Sequence, residues 1–422
     1  MREMKDSGIE WIGNIPVSWK IVKVKYNFTN KKDIAGILAD DYERLALTMN
    51  GVIKRSKEDN NGLQPEKFET YQVLNEGELV FKLIDLQNVS TSRVGLSPFI
   101  GLVSPAYIII KRNGEVLSEF AEKFFLSMWK NQIFNAMGDS GVRSSLNTKD
   151  LLEIQMVFPS ESEQKAIADY LDSKCAELDN IISDIQSQIE VLEEYKRSVI
   201  TEAVTKGLDP DVEMRDSGVQ WIGTIPKHWT VDNSKWHFVQ RKDRATKGLT
   251  QLTASQKYGV VTQEEYMEIT GAKVVTVEKD FDILKLVCPG DFIIHMRSFQ
   301  GGLEYSEKYG SISSAYVMLI PQKTILEPRF YKWFFKSPVY IDALSSTSNL
   351  IRDGQAMRYA NFIQLPIPLM PKEEQQQIAD YLDMKCAEID SIIAEKKQQI
   401  ETIEEYKKSL IFEYVTGKKE VV

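Results

Sequence analysis

The chain has 422 residues, 43% hydrophobic and 27% charged, enough for two or more separately cored domains; no run of eighteen apolar residues and no apolar leader behind MREMKDSG predict a cytoplasmic protein without a membrane partner. Three widely scattered cysteines and only three histidines exclude a disulfide framework or a CxxC site and give no reason to expect a metal centre. The net charge of −9 argues against nucleic acid only until it is mapped, because residues 20–155 carry +1 and residues 230–365 carry +3, leaving the acidity in the remaining segments.

The first element is an aromatic phrase, MKDSGIEWIGNIPVSW at 4–19, which returns as MRDSGVQWIGTIPKHW at 214–229. Trp11, Trp19, Trp221 and Trp229 have rings able to stack on bases. A phrase shared by both copies, however, reads better as a hydrophobic anchor where a domain meets a common scaffold. Between the phrase and residue 158 come short apolar runs (GELVFKLI, AYIIIKR) that predict strands, and an aromatic-rich stretch, EFAEKFFLSMWKNQIF, that predicts a buried helix. The second copy follows the same plan with KVVTV, DFIIHM and AYVMLIP as strands and RFYKWFFKSPVYIDAL as helix.

Each copy ends in a long helix. EQKAIADYLDSKCAELDNII (163–182) matches EQQQIADYLDMKCAEIDSII (374–393), and IEVLEEYKRSVI (189–200) matches IETIEEYKKSLI (400–411). Leu171, Leu178, Ile185, Leu192 and Val199 recur every seven residues, with Cys175, Ile182 and Ile189 four residues after successive members, and Ile167, Ile181 and Tyr195 widening the stripe. Such a pattern over four heptads predicts a coiled-coil seam. Pro159 and a capping box of Ser160 with Glu163 mark its start, and Gly207 its end. The second helix begins after Pro371, keeps Leu382, Ile389, Ile403 and Leu410, stops at Gly417, and carries Lys396 where the first has Ile185. At ~1.5 Å per residue each is a rod of roughly 65 Å. To bury its stripe on the first, the second must run back, so the pair is antiparallel with a pseudo-twofold internal repeat.

The expected architecture is therefore α/β (α+β): a first mixed α/β domain with its anchor segment at 1–158, a long helix at 159–207, a second domain with the repeated anchor at 208–370, and a second long helix at 371–422. Closely matched ends around divergent middles point to one scaffold carrying two specificities.

The W-I-G-x-I-P-x-x-W phrase, the two E-Q-x-x-I-A-x-Y-L-D helix openings, the two E-E-Y-K-[RK]-S helix ends and the G-x-[VI]-S-x-A-Y strands resemble the specificity subunit of type I restriction-modification systems. The resemblance covers essentially the whole chain. It implies two target-recognition domains joined by an antiparallel helix pair, each reading one half of a bipartite, asymmetric site on double-stranded DNA. It also implies recruitment of two methyltransferase (modification) subunits and of restriction/translocase subunits by a chain that is itself no enzyme and uses no cofactor. The residues agree, since there is no Asp-Pro-Pro-Tyr or Asn-Pro-Pro-Tyr motif, no glycine-rich cofactor loop, and LDPDVEM (208–214) lacks a following lysine of the nuclease kind. The competing reading is a coiled-coil protein-binding scaffold without DNA specificity.

Base reading calls for Arg or Lys toward guanine and Asn or Gln toward adenine, on loops that reach a groove. In the first domain NGVIKRSK offers Asn50, Lys54 and Arg55, DLQNVSTSR offers Gln87, Asn88 and Arg93, and GVRSSLN adds Arg143 and Asn147. In the second, HMRSFQGG offers Arg297, Ser298 and Gln300, and SNLIRDGQ adds Asn349, Arg352 and Gln355. As a set, a third to a half of them are expected to touch DNA, some at phosphates only. If the rods set the spacing of the half-sites, ~34 Å apart for one helical turn, inserting four residues in the middle of the first helix adds ~6 Å and lengthens the preferred spacer by nearly two base pairs, read by selection from duplexes of varied spacer; an unchanged spacer rules out the ruler.

Overall fold

Each copy of the repeat folds around a four-stranded antiparallel sheet of the same order. In the first copy the order is Phe28–Lys31, Ile108–Arg112, Leu79–Phe81, Val94–Leu96. In the second it is Phe238–Gln240, Val317–Pro321, Phe292–Ile294, Glu304–Tyr305. The computed structural model describes residues 2–59, 67–87, 92–138, 145–274, 283–347 and 358–421, and it divides into two compact units, one of Met1–Ile185 with Lys397–Val422 and one of Gln186–Lys396. Each unit thus takes one domain with half of each long helix, a division that cuts the helices rather than setting them apart.

The central strands are buried triplets, Leu79, Val80 and Phe81 in one unit and Phe292, Ile293 and Ile294 in the other. Covered on both faces, they read as unbroken apolar runs rather than alternating ones. One face of each sheet is packed by the aromatic-rich segment. In the first unit Ser118–Lys130 and Ile133–Met137 are helical and bring Phe120, Phe124, Phe125 and Phe134 into the core. In the second, the stretch expected as one helix divides into Pro328–Phe334 and Pro338–Ser346. Pro338 causes the break, since it disfavours a helical residue before it and is itself at home in a first helical turn. A second sheet in the first unit, ordered Gly51–Arg55, Arg44–Thr48, Gly101–Val103, Gln72–Leu74, contains one parallel pair, between Gly101–Val103 and Arg44–Thr48. Its counterpart in the second unit is reduced to the hairpin Leu252–Ser255 with Gly259–Thr262 and the pair Lys285–Val287 with Gly310–Ile312. Residues 275–277 of the expected strand KVVTV lie outside the described residues, and its first two are not in a strand.

The long helices span Glu161–Lys206 and Lys372–Val415. Ser160 and Glu163 form the expected reciprocal cap, Glu163 N donating to Ser160 Oγ and Ser160 N to Glu163 Oε2, both at 3.4 Å. In the first unit the two helix segments run antiparallel, with Tyr170 against Tyr414 (4.6 Å between ring centroids) and Lys407 Nζ on Asp179 Oδ1 at 2.6 Å. The second unit repeats this with Lys196 on Asp390 at 2.7 Å and Lys396 on Gln188 at 2.5 Å. Lys396, which stands where the first helix has Ile185, thus makes a polar contact. Leu171, Ile185, Ile189 and Val199 are buried, but Ile181 and Tyr195 are 40% and 48% exposed and do not widen the stripe. They fall on the flank of a seam that is only two helices deep.

The aromatic phrase is the joint between domain and helices in each unit. Trp19 and Trp229 are fully buried, and each indole N–H donates to the carboxylate that opens a long helix, Trp19 to Glu163 (3.4 Å) and Trp229 to Glu374 (2.9 Å). The next residue completes the joint. Gln164 Oε1 accepts Leu117 N (2.7 Å) and its amide donates to Pro159 O, while Gln375 Oε1 accepts Glu327 N (2.8 Å) and its amide donates to Met370 O and Ile325 O. In the first unit the far end of the second helix closes the joint at Gly417, whose φ is +70° and where a Cβ would lie 2.4 Å from Pro16 Cδ and 2.9 Å from Trp19. Gly417→Ala is therefore expected to lower unfolding free energy by about 2–3 kcal/mol, against about 1 for Gly8→Ala, where φ is +72° and nothing lies within 4 Å; equal denaturation midpoints for the two variants count against this packing.

Candidate nucleic-acid interface

The residues singled out as base readers separate into three groups by what their side chains do. Asn88, Arg143, Asn349, Arg352 and Gln355 lie outside the described residues. A second group holds the fold together. Arg93 is fully buried and donates to three carbonyls, Lys82 O at 3.4 Å, Ile84 O at 3.1 Å and Asp85 O at 2.6 Å. Asn147 caps the helix Thr148–Glu153, accepting Lys149 N and Asp150 N at 2.8 and 3.1 Å while Asp150 returns the bond. Ser298 is buried, its hydroxyl accepting His295 N at 2.9 Å. Arg93 and Ser298 keep their polar atoms inside the fold, whereas Asn147 is exposed and commits its carbonyl oxygen to the cap.

The third group faces outward. Asn50 sits in the tight turn between Arg44–Thr48 and Gly51–Arg55, its N–H on Thr48 Oγ1. Lys54 is exposed but paired with Glu43 at 2.6 Å and stands 5.3 Å from the Phe99 ring, and Arg55 Nε holds Asp59 at 2.6 Å. Together with Asp40, Asp41, Arg44, Lys57 and Glu58, Lys54 and Arg55 line an open cavity of about 470 Å³, of mixed charge. Surface ion pairs such as Lys54–Glu43 are worth little to stability.

Gln87, Arg297 and Gln300 are exposed, and among the described residues their side chains have no hydrogen-bond partner. Gln87 and Gln300 close the same turn, the one that follows the central strand of each sheet. In the second unit this turn is built from beneath. Arg297 N donates to His295 Nδ1 (3.3 Å), Lys336 Nζ donates to Gly301 O (2.9 Å) and pairs with the buried Glu304, and Gln256 Nε2 donates to Gln300 O (3.3 Å). His295 Nε2 lies 3.5 Å from Glu304 Oε1. Gly302, with φ +74°, packs so closely that a Cβ would come 1.9 Å from Phe335 O. In the first unit Arg93 serves the same end, and Asp85 adopts a left-handed backbone at φ +53°.

Sequence reasoning took Arg93 for a reader because arginine in a loop is usually exposed. It missed Lys336 and Glu304, which lie far from the turn in sequence or inside a strand and carry no local motif. Burial pushes the Cys386 thiol up to about 11 and raises those of Cys175 and Cys288, keeping all three protonated at neutral pH. Among the described residues no group of three or more His, Cys, Asp and Glu side chains is placed to hold a metal ion, and no helix is long and apolar enough to cross a membrane.

No family model matches the chain. The type I restriction enzyme MjaVIII specificity subunit of Methanocaldococcus jannaschii is 23% identical over 363 residues, covering 82% of this chain and 80% of that protein. A second relative from the same organism, named for the MjaX type I restriction enzyme specificity subunit, is 24% identical over 319 residues, covering 74% and 70%. The chain is a homologue of type I specificity subunits. Its fold agrees with that of a chain solved in work on complex assembly and conformational transition of the type I R-M system, with a TM-score of 0.67 at 13% identity, covering 96% of this chain and 99% of that one. In this chain, what the two copies share lies at the joint with the helices, and what differs lies on the outward turns.

Arg93→Ala removes the donor to three carbonyls and is expected to cost about 2–4 kcal/mol in chemical denaturation. A change within about 0.5 kcal/mol, the range of a surface substitution, rejects the internal role.

Proposed function

We propose that this chain is the DNA-reading subunit of a type I restriction-modification complex. Each domain reads one half of a bipartite, asymmetric target, and the chain recruits two methyltransferase subunits and, with them, restriction/translocase subunits. The observation that carries this reading is the distribution of sameness. The Trp–Glu–Gln joints and the Lys407–Asp179 and Lys196–Asp390 pairs recur at equivalent positions, while Gln87 and its neighbours face out where Arg297 and Gln300 do in the other copy. A duplicated scaffold surface suits two copies of one partner. Two differing heads suit two unlike half-sites. The MjaVIII and MjaX relatives, named as specificity subunits, support the same reading.

No step of bond-making is assigned to the chain. Its part is positional, with exposed cations meeting phosphates and outward side chains meeting base edges. The test is a selection from randomised duplexes by the chain together with its methyltransferase subunits, paired with a methyl-transfer assay on the chain alone. A two-part consensus with no turnover by the isolated chain is the expected result. Exchange of residues 20–155 for the matching stretch of a relative should then alter one half of the consensus. Binding without any sequence preference, or methyl transfer by the isolated chain, overturns the proposal.

A further inference from the structure

The turn after the central strand has the same place in both units, yet its supports differ. The runs GELVFKL (77–83) and GDFIIHM (290–296) correspond, so Ile84 stands where Arg297 does and Gln87 where Gln300 does. In the first unit a fully buried guanidinium, from Arg93 beside the strand Val94–Leu96, gathers the carbonyls of Lys82, Ile84 and Asp85, and Leu146 N donates to Leu83 O at 2.9 Å. In the second an ammonium, Lys336, reaches in from the segment between two helices to Gly301 O, balanced by Glu304, which is 3% exposed. Two unrelated side chains thus hold the same turn, Arg93 at its start and Lys336 at its end.

A surface hairpin that only links strands needs no cation beneath it, whether fully buried as Arg93 is or part-buried as Lys336 is, because water satisfies its carbonyls at no cost. Fixing it costs desolvation of a charge, and in the first unit also places a non-glycine residue, Asp85, at φ +53°. Such expense is characteristic of sites whose outward side chains must be held within a fraction of an ångström. What those side chains are differs. Ile84 is 41% exposed and Gln87 is exposed in the first turn, and Arg297 and Gln300 are exposed in the second.

We infer that this turn is the base-reading element of each head, with Arg297 and Gln300 reading a guanine and an adenine in one half-site, and Ile84 and Gln87 reading a thymine methyl and an adenine in the other. The inference rests on the DNA-reading function proposed above. The donor fork of Arg297 matches O6 and N7 of guanine, and the amide of Gln matches N6 and N7 of adenine. Ile84 has only a hydrocarbon surface, for which the C5-methyl of thymine is the one apolar feature of the major groove. Asp85, beside it, repels phosphate and accepts only from an amino group such as N4 of cytosine. Arg93 and Lys336 act as positioning residues, which touch the turn and not the DNA.

The experiment selects bound duplexes from a randomised pool with the full chain in complex with its methyltransferase subunits. Wild type is compared with Arg297→Gln, Ile84→Arg, Lys336→Met and Lys336→Arg. Arg297→Gln is expected to lower the preference for guanine at one position of one half by roughly ten- to a hundredfold, leaving the other half intact. Ile84→Arg is expected to bring a new guanine preference into the other half. Lys336→Met should blur the positions read by Arg297 and Gln300, and Lys336→Arg should restore them, a pattern that a loss of general stability does not produce. If the wild type selects a consensus that Arg297→Gln and Ile84→Arg leave unchanged, the turn is not the reader although DNA reading stands. If Arg297→Gln weakens every duplex equally, Arg297 is a phosphate contact and the assignment fails. A wild-type complex with no consensus overturns both the inference and the function beneath it.

Discussion

Everything in each unit hangs on an indole held between a carboxylate and a helix end. Trp19 and Trp229 are the largest fully buried side chains among the described residues, and an indole N–H taken out of water needs an acceptor. Glu163 and Glu374 supply it from the first turn of a long helix, where the positive end of the helix dipole also favours a carboxylate. One contact thereby fixes the start of the helix, the entry of the domain and the orientation between them. The neighbouring glutamine extends the grip to the helical face of the domain, through Leu117 N in one unit and Glu327 N in the other. That the dipeptide Glu-Gln recurs at both openings follows directly from this geometry.

Further down each helix the same logic uses different atoms. Lys123 joins its domain to Asp172, and the corresponding carboxylate of the second helix, Asp383, accepts instead from Arg329 and from the indole of Trp333 at 2.8 Å. The acceptor is fixed because it belongs to the shared helix. The donor varies because it belongs to the domain. A boundary of this kind, constant on one side and variable on the other, lets the domains diverge without loosening their seat.

The repeat, the two helices, their caps and their ends were legible in the sequence because they rest on local rules: a heptad of Leu and Ile, Ser160 with Glu163, glycines at 207 and 417. The anchoring place of the tryptophan phrase was legible from its duplication alone. The mixed sheets were legible as elements but not as pairings, since the parallel neighbour of Arg44–Thr48 is set by contacts far apart in the chain. The site was the least legible. Exposure decides whether an arginine faces outward or supports the fold, and it depends on the tertiary surroundings of Arg93 and Arg297 rather than on the residues beside them. Capping by Asn147 was concealed in the same way, although the spacing to Asp150 is that of a capping box.

The unlike supports under the two turns limit how their outward surfaces are exchanged. Outward residues alone are replaceable letter by letter, because the carbonyls beneath them stay bound to the cation already in place. A whole loop moved from one head to the other would arrive without its own counterpart, leaving the buried Arg93 guanidinium or the part-buried Lys336 ammonium without its carbonyl partners. Diversification by point change is therefore cheap in this architecture, and diversification by loop grafting succeeds only when the hidden ion travels with the loop.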